Sequence, residues 1–246
     1  EELLKTSRLS GISERDMGRM RLLVRQMARK LAARYAKMRR RKLRGQLDTR
    51  RTIRRNVGWG GVPFITYWKE RKIEKPHVMV LCDVSGSVAE VSQFLLMFLY
   101  ALNEALSGLR AFAFAGSLVE VSDILERQPI EQAIVTILQK IGFQSSNYGN
   151  ALSEFDEGWM RYVTPKTTVI VVGDARGNNA DPRIEIFSRL SNRCRRIIWL
   201  NPEYPTMWGT GDSDMLRYAP YCSLVRVCNT LEHLDRAVTD MLAQQN

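Results

Sequence analysis

Hydrophobic residues in this chain follow two rhythms, and the change between them falls near residue 75. Upstream, Met17, Met20, Leu23, Met27, Leu31, Tyr35 and Met38 recur at steps of three or four with Arg and Lys between them. That spacing puts one apolar stripe on a helix predicted over residues 12–44. Ser13, with Asp16 three residues on, suits its start, and Gly45 its stop. Residues 48–56 read as a short second helix or a loop. Gly58, Gly60, Gly61 and Pro63 then break the chain, and residues 64–68 (Phe-Ile-Thr-Tyr-Trp) have strong strand propensity. Downstream, short unbroken apolar runs alternate with segments of helical period. Residues 77–82, 109–115, 117–122, 167–172, 196–200 and 223–228 read as strands. Residues 89–107, 130–141, 149–162, 182–192 and 231–243 read as helices, and 201–213 as a loop rich in Pro and Gly.

Strands separated by helices imply parallel crossovers. The expected fold is therefore α/β, a doubly wound, mostly parallel, Rossmann-like sheet over residues 75–246. A basic, mostly helical extension over residues 1–74 precedes it. Charge sharpens this division. Residues 1–76 carry 23 Lys and Arg against 7 Asp and Glu, and residues 77–246 carry 14 against 19, so +16 and −5 make up the net +11. A basic arm is joined to a mildly acidic domain.

Composition removes several classes. No run of about 18 uncharged apolar residues occurs, so no membrane span is expected. The chain begins at Glu1 without a signal-peptide pattern, and it is read as part of something longer. Cys82, Cys194, Cys222 and Cys228 form no Cys-x-x-Cys pair, and His77 and His233 are the only histidines. Neither a zinc cluster nor a disulfide framework is expected, and a reducing, cytoplasmic setting is.

Two of the apolar strands run into polar loops with an Asp at the mouth: Asp83-Val84-Ser85-Gly86-Ser87 and Gly173-Asp174. Ligands of a doubly wound sheet gather at the carboxyl ends of its strands. In an extended loop, positions 83, 85 and 87 point the same way. One carboxylate and two hydroxyls then converge, with a second Asp from the later strand. These are hard oxygen donors, suited to Mg²⁺, with Mn²⁺ or Ca²⁺ as alternatives. The plainer alternative is an Asp/Ser turn that caps the next helix through Ser87, and for Asp174 a simple turn after a buried strand.

The Asp-x-Ser-x-Ser triplet after a buried strand resembles the metal-ion-dependent adhesion site (MIDAS) of von Willebrand factor A (VWA) domains. Residues 144–152, Gln-Ser-Ser-Asn-Tyr-Gly-Asn-Ala-Leu, resemble that family's Gly-Gly-Thr-x-x-Gly-x-Ala-Leu stretch. Ser146 then stands in the place of Thr, with Ser145 as a competitor and a helix-capping role as the plainer alternative. Asp174 stands in the place of the last Asp, and Gly173-Asp174-Ala175 replaces the usual Ser-Asp-Gly. The run Arg50 to Arg54, the Gly/Pro break, Leu-Cys-Asp-Val-Ser-Gly-Ser-Val and Ile-Ile-Trp-Leu-Asn-Pro are together similar to the CoxE-like branch, over about residues 48–243.

The resemblance implies a VWA fold with Mg²⁺ held by Asp83, Ser85, Ser87, Ser146 and Asp174. It implies a role beside a MoxR-type AAA+ ATPase in enzyme activation, remodelling or metal-cofactor insertion. It also implies a target protein that supplies an Asp or Glu to the metal. Asn147, Asn178 and Asn179 are candidates for the rim.

Enzymatic readings fit less well. A haloacid-dehalogenase-type phosphotransferase needs a second acid where Ser85 stands. Neither histidine sits in a hydrolase motif, and no Gly-x-x-x-x-Gly-Lys-Ser/Thr loop occurs. The chain is expected to be a non-enzyme. For the basic arm, a protein-docking helix, a nucleic-acid contact over residues 21–55 that weakens with salt, and a simple solvated face all remain open.

Overall fold

The computed structural model describes residues 47–60, 62, 64–68, 77–85, 96–100, 102–103, 108–141, 144–230 and 232–236, with residues 18, 22, 26, 29, 33 and 239. The chain forms two compact units, residues 32–75, and residues 1–31 with 76–246. Of the helix expected over 12–44, residues 18, 22, 26, 29 and 33 are helical and exposed. The rest of it, with its Met/Leu stripe, lies outside the described residues.

The larger unit holds one six-stranded sheet. Its strands are β1 (His77–Asp83), β2 (Leu109–Phe114), β3 (Leu118–Glu120), β4 (Thr167–Val172), β5 (Arg196–Asn201) and β6 (Leu224–Val227), in the order β3-β2-β1-β4-β5-β6. All pairings are parallel except β2 with β3, a tight hairpin at one edge. This is the mostly parallel sheet that the alternating pattern implies. β1 and β4 are central, and every residue of β4 and all of β1 beyond His77 are buried. Strands covered on both faces need continuous apolar runs rather than alternation. Cys82 sits in that run, and burial pushes its thiol up, out of reach of ordinary thiolate chemistry.

Several boundaries differ from the sequence pattern. The strand expected over 117–122 stops at Glu120, because Ser122 opens a helix, α2 (Ser122–Arg127), and its Oγ accepts the Ala111 N–H at 2.9 Å. Helix α3 (Ile130–Ile141) matches its expected span. Helix α4 (Tyr148–Gly158) gives way to a single tight turn at Met160–Tyr162. Helix α5 (Ile184–Arg193) is followed, after β5, by α6 (Met215–Tyr218), four residues that are too short to leave a periodic signature. In the helix expected over 89–107, residues 96–100, 102 and 103 are described and helical. Among the described residues no helix is long and apolar enough to cross a membrane.

One face of the sheet carries an aromatic seam. Trp199 of β5 stacks on Tyr148 at 5.8 Å and on Tyr218 at 5.0 Å, and Phe114 meets Tyr148 edge-on at 5.0 Å. Phe187 packs edge-on to both Trp199 and Tyr218. Such ring pairs add about 0.5–1.5 kcal/mol each beyond the area they bury. Their consequence for the site is that the Tyr148 ring is held on several sides.

The smaller unit centres on α1 (Thr49–Asn56), so residues 48–56 take the helical option. Asp48 caps it by accepting the Arg51 N–H at 3.0 Å. Residues 64–68 do not form the expected strand; Trp68 makes only an isolated antiparallel bridge with Leu47. The reason is side-chain competition for the backbone. Asn56 bonds both the N–H and the carbonyl of Ile65, at 3.1 and 2.8 Å, and Thr52 Oγ1 accepts the Tyr67 N–H at 3.0 Å.

Candidate functional site

The order of the sheet decides where a ligand can sit. Chain connections leave β1 in one direction, toward β2, while β4 lies on its other side. That reversal is the topological switch point of an open α/β sheet, where a crevice opens at the strands' carboxyl ends. Asp83 ends β1, and Asp174 follows β4 by two residues, so both acids arrive at that crevice on adjacent strands.

The loops bring hydroxyls to the same place. Asp83 is fully buried, and Ser85, Ser146 and Asp174 are nearly so. Asp83 Oδ1 accepts the Ser85 N–H at 2.9 Å. Ser146 Oγ lies 3.4 Å from Asp83 Oδ1 and 3.2 Å from Oδ2. Asp174 Oδ1 accepts the Arg176 N–H at 2.9 Å, which fixes the turn after β4. Each acid therefore shapes its own loop, as the plainer alternatives require, and also faces the crevice. Ser87 lies outside the described residues.

The competing readings of residues 145–147 separate cleanly. Asn147, not Ser146, caps α4, its Oδ1 accepting the Asn150 N–H at 2.9 Å. Ser145 is exposed, whereas Ser146 is buried against Asp83. Asn178 takes a supporting place: its Nδ2 donates to the Ser146 carbonyl at 2.8 Å. Asn179 is exposed.

Tyr148 is a residue that sequence reasoning missed. Its hydroxyl donates to Asp83 Oδ2 at 2.8 Å and accepts the Ala175 N–H at 3.1 Å, bridging the two acid-bearing loops. Gly173 makes room for it: a Cβ there would lie 2.1 Å from the Tyr148 hydroxyl and 2.7 Å from Asp83 Cβ. The family's Ser at position 173 and a tyrosine hydroxyl at this spot are mutually exclusive, so the Gly173 departure is the one signal that pointed here. The other departure also has a visible cost. Ala175 is held at φ 64°, a left-handed conformation that glycine adopts freely and alanine does not.

Arg176 was missed as well. It pairs with Glu203 at 2.9 Å and Asp212 at 2.8 Å, fastening the long connection after β5 onto the Asp174 turn. The Asp214 N–H adds a bond to the Ala175 carbonyl at 2.8 Å. Its two carboxylate partners hold the Arg176 guanidinium firmly charged, and that charge is engaged by Glu203 and Asp212.

Electrostatics follow from burial. Desolvation raises Asp83 above the ordinary carboxylate range, against the hydrogen bonds from Ser85, Tyr148 and Ser146. Asp174 is pushed up to about 7 by burial first and by the Asp83 charge second. The Tyr148 hydroxyl is raised too, by burial and then by both acids, so it stays a proton donor to Asp83. Two buried carboxylates that repel each other, ringed by hydroxyls, form a set of hard oxygen donors that fits a divalent cation.

A family model described as VWA domain containing CoxE-like protein matches residues 20–236. The chain is a CoxE-like VWA protein. No curated protein matches its sequence. Among solved structures it is similar to proximal thread matrix protein 1 of the mussel byssus, in a form with a zinc-occupied MIDAS motif. That likeness has 14% identity and a TM-score of 0.48, over 68% of this chain and 47% of that one. It is also similar to BatB of Bacteroides thetaiotaomicron, at 15% identity and TM-score 0.47 over 69% of this chain and 99% of that one. A von Willebrand factor type A protein of Catenulispora acidiphila gives 11% identity and TM-score 0.47, over 69% and 42%. The CoxE-like VWA chain thus spans about half the length of the mussel protein and nearly all of BatB.

Proposed function

We propose that this CoxE-like VWA protein is a metal-dependent protein-interaction module. Asp83, Ser85, Ser87, Ser146 and Asp174 hold one Mg²⁺, and Mn²⁺ or Ca²⁺ would use the same oxygens. The bound ion supplies positive charge that a carboxylate from outside can complete, so an Asp or Glu of a target protein is the expected last ligand. In this reading the protein is a cytoplasmic adaptor or substrate recogniser for a MoxR-type AAA+ ATPase, in enzyme activation, remodelling or metal-cofactor insertion.

The observation that supports it best is the buried acid pair. Burying two carboxylates without a compensating cation is costly. Arg176, the guanidinium whose charge acts on Asp174, is already engaged by Glu203 and Asp212. A non-enzymatic role is consistent with the placement of the bases: His77 stands at the far end of β1 from Asp83, and His233 pairs with Asn229.

Calorimetric titration with Mg²⁺ tests the reading on the wild type and on Asp83→Ala. The wild type binds, and the variant keeps its circular dichroism but shows no heat of binding. Retention of the partner ATPase or target by Asp83→Ala at wild-type affinity would overturn the metal-dependent part.

A further inference from the structure

The unit around α1 is built inside out. Among its described residues the buried side chains are polar: Thr52 and Asn56, one helical turn apart, face inward and hold the backbone of residues 65 and 67. Its apolar side chains face water. Trp59 is 67% exposed, Phe64 72% and Trp68 57%, and Ile53, Val62 and Ile65 are each exposed by about half. Single exposed apolar residues are ordinary. Here several fall close together in the chain, Trp59 and Phe64 touch, and side-chain hydrogen bonds from Asn56 and Thr52 fix the backbone that carries Ile65 and Tyr67; exposed apolar clusters mark binding surfaces.

Charge narrows the partner. Residues 47–68 contain four arginines, Arg50, Arg51, Arg54 and Arg55, all exposed, against one acid, Asp48, which caps the helix. Arg51 lies over the Tyr67 ring at 4.8 Å. Trp, aromatic and Arg side chains on a fixed backbone are the residues that dominate protein–protein contacts. The rings do not form a stacked array for nucleobases: Trp59 meets Phe64 edge-on at 6.0 Å and 62°, and the Tyr67 ring is covered by Arg51. A stacking platform needs open ring faces.

We infer that the described residues between 47 and 68 form a docking surface for an acidic amphipathic helix of a partner protein, its apolar face on Trp59, Phe64 and Trp68 and its carboxylates on the α1 arginines. This surface belongs to the smaller unit, and its proposed occupant requires no metal at the acid pair.

The test uses the whole chain and a fluorescein-labelled helical peptide with Leu at i, i+3, i+4 and i+7 and Glu on the flanking positions. A copy with Lys for Glu, an oligothymidylate and phosphatidylserine vesicles are the comparators. Fluorescence anisotropy is expected to show the Glu peptide binding at least about tenfold more tightly than the Lys peptide, with a loss of about tenfold in Trp59→Ser, Phe64→Ser and the pair Arg54→Glu/Arg55→Glu. These positions are exposed, so circular dichroism stays unchanged. Asp83→Ala binds the peptide as the wild type does while losing its Mg²⁺ heat, which keeps the two proposals separable. Equal affinity for both peptides, no binding of either, or tighter binding of the oligonucleotide or vesicles that the same variants abolish would overturn the inference.

Discussion

The two units of this protein solve the burial problem in opposite ways. In the larger one, apolar strands and an aromatic seam surround a minority of buried polar groups, among them the acids and hydroxyls of the candidate site. Among the described residues of the smaller one, Thr52 and Asn56 are the buried side chains, while Trp59, Phe64 and Trp68 are exposed. Burial of a polar group therefore has two meanings in one chain. At Asp83 it concentrates charge; at Asn56 it replaces strand pairing with side-chain bonds to the backbone. The contrast predicts that identical substitutions will behave differently in the two units.

Tryptophan to alanine is the sharpest case. Trp199 is buried, stacks on Tyr148 and Tyr218, and donates to the Gly173 carbonyl at 2.9 Å. Trp199→Ala is expected to cost about 3–5 kcal/mol of stability by chemical denaturation. Trp59→Ala should stay within about 0.5 kcal/mol. A large loss at Trp59 would mean that its ring is part of a core after all.

The next effect is on pH. The metal-free folded protein holds a proton on the acid pair that the unfolded chain has released, because Asp174 is raised from 3.8 to about 7. A raised acid makes stability fall as pH rises, here between about pH 4 and pH 7. Thermal melts across that window should show the fall, and saturating Mg²⁺ should flatten it. A metal-free protein whose stability is level across the window would remove the electrostatic argument for the site.

Asn56→Ala should cost about 1–3 kcal/mol, from the unsatisfied Ile65 groups that it leaves. Hydrogen exchange is expected to place that loss in residues 47–68, with no change in the Mg²⁺ titration. The smallest effect is a gain. Ala175→Gly relieves the left-handed strain at φ 64°, worth up to about 1–2 kcal/mol before the lost methyl packing is subtracted.

What the amino-acid order revealed was the part governed by local rules. The six strands are short apolar runs, and the Asp at the end of two of them falls where parallel sheets place their ligands. Ser146 was reachable only through its likeness to the family stretch, since a serine before a helix also reads as a cap. Asn147 turned out to be the cap, one residue on. Tyr148 left only the Gly173 departure as a trace, because its role depends on a backbone N–H at Ala175 and on a missing side chain at Gly173. Residues 64–68 misled for a related reason: their strand propensity is real, but the partners for their backbone are the side chains of Asn56 and Thr52.

The position of the acid pair in the chain also sets a timetable. Asp83 lies on β1 and Asp174 beyond β4, with β2, β3 and several helices between them. The two carboxylates cannot meet until β4 has settled beside β1. Their mutual repulsion is therefore absent until β4 lies beside β1, and it falls on the step that pairs those two strands. A chain emerging from the ribosome would pass through a stage with one acid in place and no acid pair, so under the proposed function cation binding would report that the centre of the sheet has closed.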